Sequence, residues 1–226
     1  MQAKIKKFFM AKKIKNKPFK DWLYEEVSEE FGLKRGFEHS LFDHFQKISS
    51  EIDQKTQESI TELQNLAQKY VDAWNEDEYK FMFISRFIGL AGFVSEHYKV
   101  FTQRPMSVMY AKGTKKTEGL VEFMLAKGIQ TPKKPHFFLH EYKPEKRRDN
   151  DPLGQLLIAM VAAKVQNQDD KAIYGMYVNG RNWHLVILEQ QNYYVSNPYV
   201  ITDVGIFQLF RVLLYFKNLM EKIYAQ

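Results

Sequence analysis

The stretch HFFLHEYKPEKRRDNDPLGQLLIAMVAAKVQN (residues 136–167) decides the fold class, because it passes from a strand pattern to a helix pattern within a few residues. Its first part is a short apolar run that ends in an acid and a base, Glu141 and Lys143. Its second part begins with Asp151 and Pro152, residue types that favour the start of a helix, and continues with apolar residues at helical spacing. The stretch therefore predicts a β-strand, a polar connection and an α-helix.

Further strand and helix patterns extend from this pair in both directions. Apolar, partly alternating runs predict four more strands, at SVMYA (107–111), GLVEFMLA (119–126), AIYGMYV (172–178) and WHLVILE (183–189). Helical spacing predicts helices over 75–94 and 203–224. The resulting order indicates a mixed α/β fold, with a mixed central sheet flanked by helices on both faces. No GxGxxG follows a predicted strand, which argues against a dinucleotide-binding fold.

The amino-terminal third of the chain is predicted to be separate from this core. Residues 1–17 form a basic tail that we expect to be flexible, residues 18–75 a helical accessory region, and residues 76–226 the α/β core. Apolar residues recur at mostly three- and four-residue steps over 38–74, the pattern of amphipathic helices. We expect this stripe to pack on the protein's own core. Were it exposed, it would instead predict a helical partner-binding protein and a homodimer.

The composition limits the chemistry that the chain can perform. The chain has no cysteine, which excludes disulfides, thiolate catalysis and cysteine-bound zinc, and it fits a cytoplasmic location. No apolar run approaches the roughly 18 residues of a membrane span, so we expect no membrane partner. Although the net charge is +6, the eight lysines of residues 1–20 account for all of it. A second basic excess lies over 111–148, which suits a polyanionic partner or is simply a solvated surface.

The acid and the base at the end of the quoted strand lie two residues apart. Because side chains at i and i+2 of a strand share a face, we expect Glu141 and Lys143 to lie on the face of Phe137 and Leu139. That face changes from apolar to ionic as the strand ends. The pattern is typical of a site at the rim of a sheet, or of a simple ion pair at a strand end.

A third ionisable residue, Glu122, lies in the preceding predicted strand. It alternates with Leu120 and Met124, so we expect one carboxylate on an otherwise apolar face, where it is costly unless paired or coordinated. If the two strands are antiparallel neighbours, Glu122, Glu141 and Lys143 come together. Two carboxylates with waters and a substrate phosphate suit Mg²⁺, and a nearby lysine suits the activation of a nucleophile.

These three residues, followed by the predicted helix, resemble the motif of the PD-(D/E)XK nuclease superfamily, which has the restriction-endonuclease-like fold. The resemblance covers about residues 76–223, and the segments VEFMLAKG, PHFFLHEYK and DPLGQLLIAM are also similar to an uncharacterised bacterial branch of the superfamily. By this resemblance Glu122 takes the place of the first acid, Glu141 that of the second, and Lys143 that of the lysine. The usual first acid is an aspartate preceded by proline, so the glutamate here implies a changed metal position.

The resemblance also implies further site residues and a metal cofactor, Mg²⁺ or Mn²⁺. The backbone carbonyl of Tyr142 would bind the metal, and Gln155 matches the glutamine that many members carry on the next helix. An acid from the preceding helix lies near the metal in many members. We assign this position to Glu78, with Glu76 as the alternative.

The activity that the resemblance implies is metal-dependent hydrolysis of phosphodiester bonds in nucleic acid, with DNA favoured over RNA. The basic run after the strand is expected to contact phosphates: Lys146, Arg147 and Arg148. Two alternatives stay open. In the first, the strand-end acid and base form an ion pair, and Glu122 pairs with Lys127 or another base. In the second, the fold is a catalytically inactive module that binds nucleic acid or protein.

Overall fold

A computed structural model of the protein describes residues 15–143 and 151–224, and over 134–143 it describes the backbone alone. Within these ranges the fold is mixed α/β, as the sequence predicts. One nine-stranded mixed sheet carries helices on both of its faces.

The predicted core elements are present and short strands are added to them, but β3 begins eight residues before the strand predicted at 107–111. The strands are β1 (Lys15–Pro18), β2 (Lys34–Gly36), β3 (Lys99–Tyr110), β4 (Lys115–Lys127), β5 (Lys133–Lys143), β6 (Ile173–Asn179), β7 (Asn182–Glu189), β8 (Asn192–Val195) and β9 (Tyr199–Val200). The helices are α1 (Tyr24–Phe31), α2 (Ser40–Lys47), α3 (Gln54–Tyr70), α4 (Glu76–Tyr79), α5 (Ser85–Ala91), α6 (Pro152–Asn167) and α7 (Gly205–Tyr224). A 3₁₀ turn (Phe19–Asp21) precedes α1, and a π-helical segment (Lys80–Ile84) joins α4 to α5. In the described part of the chain, no helix combines the length and apolarity that crossing a membrane requires.

The connectivity of the sheet brings β4 and β5 together at its centre. β3, β4 and β5 are antiparallel neighbours in chain order, and β6 then lies parallel to β5. The connection between these two parallel strands contains α6, because parallel pairing needs a long crossover. β6, β7 and β8 continue in antiparallel order, and β9 pairs with the start of β7. The expectation that the strands of Glu122 and Glu141 are antiparallel neighbours is confirmed.

Two apolar layers lie on opposite faces of the sheet. On one face, α6 is buried along almost its whole length, as expected for a helix that is apolar all round. Its Leu157 and Met160 pack in one cluster with Val121 of β4 and Val186 of β7. On the other face, α3, α5 and α7 form a second cluster over β6 and β7. The predicted helical cover on both faces is therefore confirmed.

The amino-terminal region is less separate from the core sheet than predicted. Residues 15–17, the end of the tail that we expected to be flexible, belong to β1, which pairs in parallel with the start of β4. β2 pairs in parallel with β8, at the opposite end of the strand order. Each of these strands is a polar run of three or four residues, so its sequence gives no sign of the distant pairing. Residues 1–14 lie outside the described residues.

The amphipathic stripe over 38–74 is buried inside the protein. It forms two helices, α2 and α3, which an extended segment separates. Phe45, Ile60 and Leu63 of these helices are buried in one cluster with Leu213 and Phe216 of α7. The hypothesis of an exposed partner-binding stripe is therefore wrong, and the expectation of a homodimer loses its basis.

Gly154, in the first turn of α6, sets how closely this helix approaches the segment before α1. A β-carbon at this position would lie 2.3 Å from the carbonyl oxygen of Trp22 and 2.7 Å from the amide nitrogen of Tyr24. Because both obstacles are backbone atoms, we expect Gly154→Ala to lower the free energy of unfolding by about 1–3 kcal/mol. Gly89→Ala in α5 is the matched control, since its β-carbon would meet nothing within 4 Å. Denaturant unfolding should show that this control gains about 0.5–1 kcal/mol, and similar losses in both variants would contradict the close approach.

Candidate active site

Glu122 of β4 is a buried carboxylate with polar partners on two other elements. The residue is 7% exposed, and its Oε2 atom lies 2.8 Å from Nζ of Lys80. The side-chain amide of Gln103 in β3 donates a hydrogen bond to the same oxygen. These donors offset the cost of burying a charge. The base that pairs with Glu122 is thus Lys80 and not Lys127, whose ammonium lies over the ring of Tyr224.

Lys80 joins Glu122 to a second carboxylate. Its Nζ lies 2.6 Å from Oε1 of Glu76, one helical turn earlier, and its side chain is 19% exposed. Burial lowers the pKa of Lys80, but the hydrogen bonds and charges of Glu122 and Glu76 outweigh burial and raise this pKa above its ordinary value. Lys80 is therefore a charged ammonium held between two carboxylates.

The pairing of β3 with β4 is interrupted at Glu122. In this strand pair, Gln103 and Glu122 lie opposite each other by register but do not form a ladder pair, and Gln103 has a φ of 52°. Phe101 and Met106 of β3 both pack on the α6 side although they lie five residues apart, so the alternation of faces reverses between them. A non-glycine residue in the left-handed region costs on the order of 1–2 kcal/mol and is common at functional sites.

The reversal also corrects the predicted face of Glu122. We expected Glu122 to share a face with Leu120 and Met124. Met124 and Val121 both pack on the α6 side although they lie three residues apart, and Leu120 is exposed. Glu122 reaches instead to Lys80, whose helical run packs on the opposite side of the sheet. The irregular strand therefore directs the carboxylate towards the helix that precedes β3.

The helical run that carries Lys80 changes its geometry at that residue. α4 ends at Tyr79, the π-helical segment begins at Lys80, and α5 follows. Short π-helical segments within α-helices are frequent at functional sites. Tyr79 and Phe83 remain in the core, with stacked rings 5.5 Å apart, while Lys80 reaches the carboxylate on β4.

The predicted acid of β5 lies close to Glu122 by the register of the sheet, and the predicted base follows two residues later. Phe123 of β4 pairs with Leu139 of β5. Because the strands are antiparallel, Glu122 lies one residue beyond this pair and Glu141 lies two residues beyond it, in the same direction. α4 also lies against β5. Three elements, α4, β4 and β5, therefore meet at this part of the sheet.

The pairing of β5 with β6 is irregular next to these residues. Leu139 pairs with Met176 and Tyr142 pairs with Val178, so three steps along β5 match two steps along β6. An extra residue of this kind breaks the regular alternation of faces. The expectation that the strand-end acid and base share a face with Leu139 no longer follows from alternation, and the roles of these residues stay predictions.

The helix acid beside Lys80 is Glu76. Glu78, to which we assigned the helix position, completes the capping box at the start of α4. Its carboxylate accepts a hydrogen bond from the backbone N–H of Asn75 at 2.9 Å. Of the two glutamates, Glu76 therefore shares its cation with Glu122.

Gln155 is buried near the amino end of α6. Its side-chain amide donates to the carbonyl oxygen of Lys20, in the 3₁₀ turn, at 3.5 Å. α6 packs against β5 and β6. Gln155 thus lies on a helix that contacts the strand of Lys143, and its role beside that lysine stays a prediction.

The other predicted residues lie where side chains are not described. Lys146, Arg147 and Arg148 are outside the described residues. Among the side chains of residues 15–133 and 151–224, no group of three or more acidic or histidine residues is arranged to hold a metal ion. The predicted metal site draws on Glu141, which is outside that set, so it stays a prediction.

Sequence analysis did not identify the two residues that contact the carboxylate of Glu122, Lys80 and Gln103. A signal for Lys80 exists, because Glu76 and Lys80 have the i, i+4 spacing of an intrahelical ion pair and Lys80 stands next to Tyr79 in an aromatic-rich helix. No local signal marks Gln103, since its contact with Glu122 depends on how β3 pairs with β4.

No model of a known protein family matches the sequence, and no curated protein matches it.

Proposed function

We propose that the protein is a metal-dependent nuclease with a restriction-endonuclease-like core, which hydrolyses phosphodiester bonds of nucleic acid, with DNA favoured over RNA. The order of elements supports this proposal. A helical run from α4 to α5, three antiparallel strands, α6 and a strand parallel to the third follow one another along the chain. The PD-(D/E)XK resemblance implies the same order.

The observation that carries the proposal is the meeting of α4, β4 and β5 around Glu122. Glu122 supplies a buried carboxylate, and Glu76 supplies a second one from the helix. The backbone register brings Glu141 on β5 within two residues of the same point, and Lys143 follows it. Carboxylates from a helix and two strands, together with a lysine, are the groups that metal-assisted phosphodiester hydrolysis uses.

The donor set fits Mg²⁺ or Mn²⁺. Carboxylate oxygens of Glu122 and Glu76 converge on one cationic nitrogen, at 2.8 and 2.6 Å, and carboxylates are the ligands that hard divalent cations prefer. We assign Glu122, Glu141 and the backbone carbonyl of Tyr142 as the ligands, with Glu76 in place of Glu78 as the helix acid. When bound, the metal would polarise the phosphate and make a bound water more acidic.

The remaining polar residues would act on the water and on the developing charge. Lys143 would orient the attacking water and hold or take its proton. Gln155 would position the lysine or the phosphate from the amino end of α6. Gln103 donates to Glu122 and fixes the orientation of its carboxylate.

A polyanionic substrate is supported by the distribution of charge. The basic excess over 111–148 surrounds the acidic site residues in the sequence, and its described part includes the hairpin between β3 and β4. Lysine and arginine contacts to phosphates supply most of the affinity for nucleic acid and make it fall with salt. Lys146, Arg147 and Arg148 stay the candidates for phosphate contacts next to β5.

A catalytically inactive module of this fold, which binds nucleic acid or protein, is the second candidate function. One observation favours it. The ammonium of Lys80 already neutralises much of the charge of Glu122 and Glu76, so these carboxylates are accommodated without a metal. The cleavage experiment described next separates this function from nuclease activity.

The test is cleavage of single-stranded DNA, double-stranded DNA and RNA in Mg²⁺ or Mn²⁺, with chelator as the blank. The wild type is expected to cleave at least one substrate only when metal is present, and Lys143→Ala to lower the rate by about 10²–10⁴-fold. Lys171→Ala changes an exposed lysine before β6 and is expected to leave the rate unchanged. Nucleic-acid binding without cleavage would favour the inactive module, and equal cleavage by the Lys143 variant would contradict the nuclease proposal.

A further inference from the structure

The ion cluster of Glu76, Lys80 and Glu122 carries an inference about how the site controls its metal, and this inference rests on the proposed nuclease function. We propose that Lys80 is a tethered counter-cation: its ammonium holds Glu122 in place when no metal is bound, and it moves away from Oε2 of Glu122 when a divalent cation binds that oxygen. Lys80 thereby sets the metal affinity of the site.

Two donors, Lys80 and Gln103, contact the same oxygen atom of Glu122. A carboxylate oxygen has about two sites that accept hydrogen bonds. Lys80 and Gln103 both donate to Oε2 of Glu122, and they fill those sites. A metal that bonds to this oxygen has to displace one of the two donors. Because the ammonium is a cation and the amide is neutral, the metal repels Lys80 more strongly than Gln103.

Lys80 also reduces the net negative charge of the cluster. Glu76, Lys80 and Glu122 together carry one net negative charge, and without the ammonium they would carry two. Both carboxylates are held by the same nitrogen, at 2.6 and 2.8 Å, so Lys80 weakens the attraction of each of them for a divalent ion. A site with the ammonium in place is therefore a weaker metal site than the same carboxylates without it.

Lys80 has a route away from the carboxylates. Its ammonium is carried on a flexible four-carbon chain that is 19% exposed, whereas the side chain of Glu122 is 9% exposed. The residue also stands where α4 gives way to the π-helical segment, a feature that is frequent at functional sites. Lys80 can thus swing towards solvent, or towards a substrate phosphate, while Glu122 remains in the sheet.

The experiment compares Mn²⁺ binding to the wild type, Lys80→Met and Lys80→Arg by titration calorimetry. Lys80→Met removes the charge and keeps the apolar chain, and we expect its Mn²⁺ dissociation constant to fall by about ten-fold, the effect of one partly screened charge a few ångströms away. Lys80→Arg keeps the charge and is expected to retain the wild-type affinity. Lys80→Gln, which removes the charge and keeps a donor, serves the same purpose should Lys80→Met fail to fold.

The outcomes separate this inference from the proposed function. Measurable binding to the wild type, with tighter binding to the uncharged variants, supports the counter-cation. Measurable wild-type binding that the uncharged variants do not tighten overturns the counter-cation and leaves the nuclease proposal standing. Failure of the wild type and of every folded variant to bind Mn²⁺ overturns both.

Discussion

The Glu122→Ala variant is expected to lose nucleic-acid cleavage by about 10³-fold or more, because metal-assisted stabilisation of the transition state is worth several kcal/mol. The variant is also expected to lose about 1–3 kcal/mol of its free energy of unfolding. Removing one partner of a buried ion pair costs more than this when the other charge is left alone. Here Lys80 keeps its contact with Glu76 and is partly exposed, which reduces the cost.

The two effects of this substitution can be separated by Glu122→Gln. The amide keeps the size of the side chain and an oxygen that accepts from Lys80 and Gln103, so we expect a smaller loss of stability than in Glu122→Ala. We expect the same loss of cleavage, because a neutral amide is a poor ligand for Mg²⁺. Cleavage rates of both variants give the loss of activity, and denaturant unfolding of both variants gives the loss of stability.

Glu118→Ala is the control for this pair of variants. Glu118 lies on the same strand and forms an ion pair with Lys116, but its side chain is 44% exposed and it stands outside the ion cluster of Glu76, Lys80 and Glu122. It is expected to leave cleavage unchanged and to have little effect on the free energy of unfolding, because exposed ion pairs contribute little to stability. Cleavage at the wild-type rate by Glu122→Gln would show that Glu122 has a structural role only.

The Glu141→Ala variant is expected to lower cleavage by about 10³-fold as well, since it removes the second proposed ligand. The strand-end ion pair makes a different prediction for the same variant. An ion pair with Lys143 would contribute at most a little stability, and its loss would leave the cleavage rate unchanged. Cleavage under the conditions that suit the wild type, with stability measured in parallel, distinguishes the two.

The parts of the fold that follow from the sequence are those with a long pattern and a clear start. α6 begins at Pro152 after Asp151 and runs through an apolar stretch to Asn167, and the structure agrees with the prediction to within a residue. β6 and β7 likewise follow from apolar runs that a hairpin turn separates. In these elements the local preference and the tertiary packing favour the same structure.

The short strands β1 and β2 could not be predicted, because their stability comes from pairing. Their sequences, KNKP and KRG, have no apolar alternation. Each is a strand only because β4 or β8 offers an edge for parallel pairing. Such pairings join residues that are about a hundred or more positions apart, and no local pattern records them.

Of the residues around Lys80, the sequence analysis singled out Glu122, gave Glu76 only as the alternative to Glu78, and missed Lys80 itself. Glu122 stood out because a carboxylate in an apolar strand needs a partner, and the structure supplies that partner from a helix. The face of Glu122 could not be derived from alternation, because the positive φ of Gln103 interrupts the ladder beside it. Alternation is a reliable guide only where a strand is regular, and the strands of this site are irregular at the site itself.

Titration calorimetry with Mn²⁺ on the wild type and on Glu141→Ala tests the central claim most directly, because it needs no assumption about the substrate. The account predicts saturable binding to the wild type, loss of that binding in Glu141→Ala, and wild-type binding in Glu118→Ala. Equal binding to the wild type and to Glu141→Ala, or no binding to either the wild type or Lys80→Met, would contradict a metal site formed by Glu122 and Glu141.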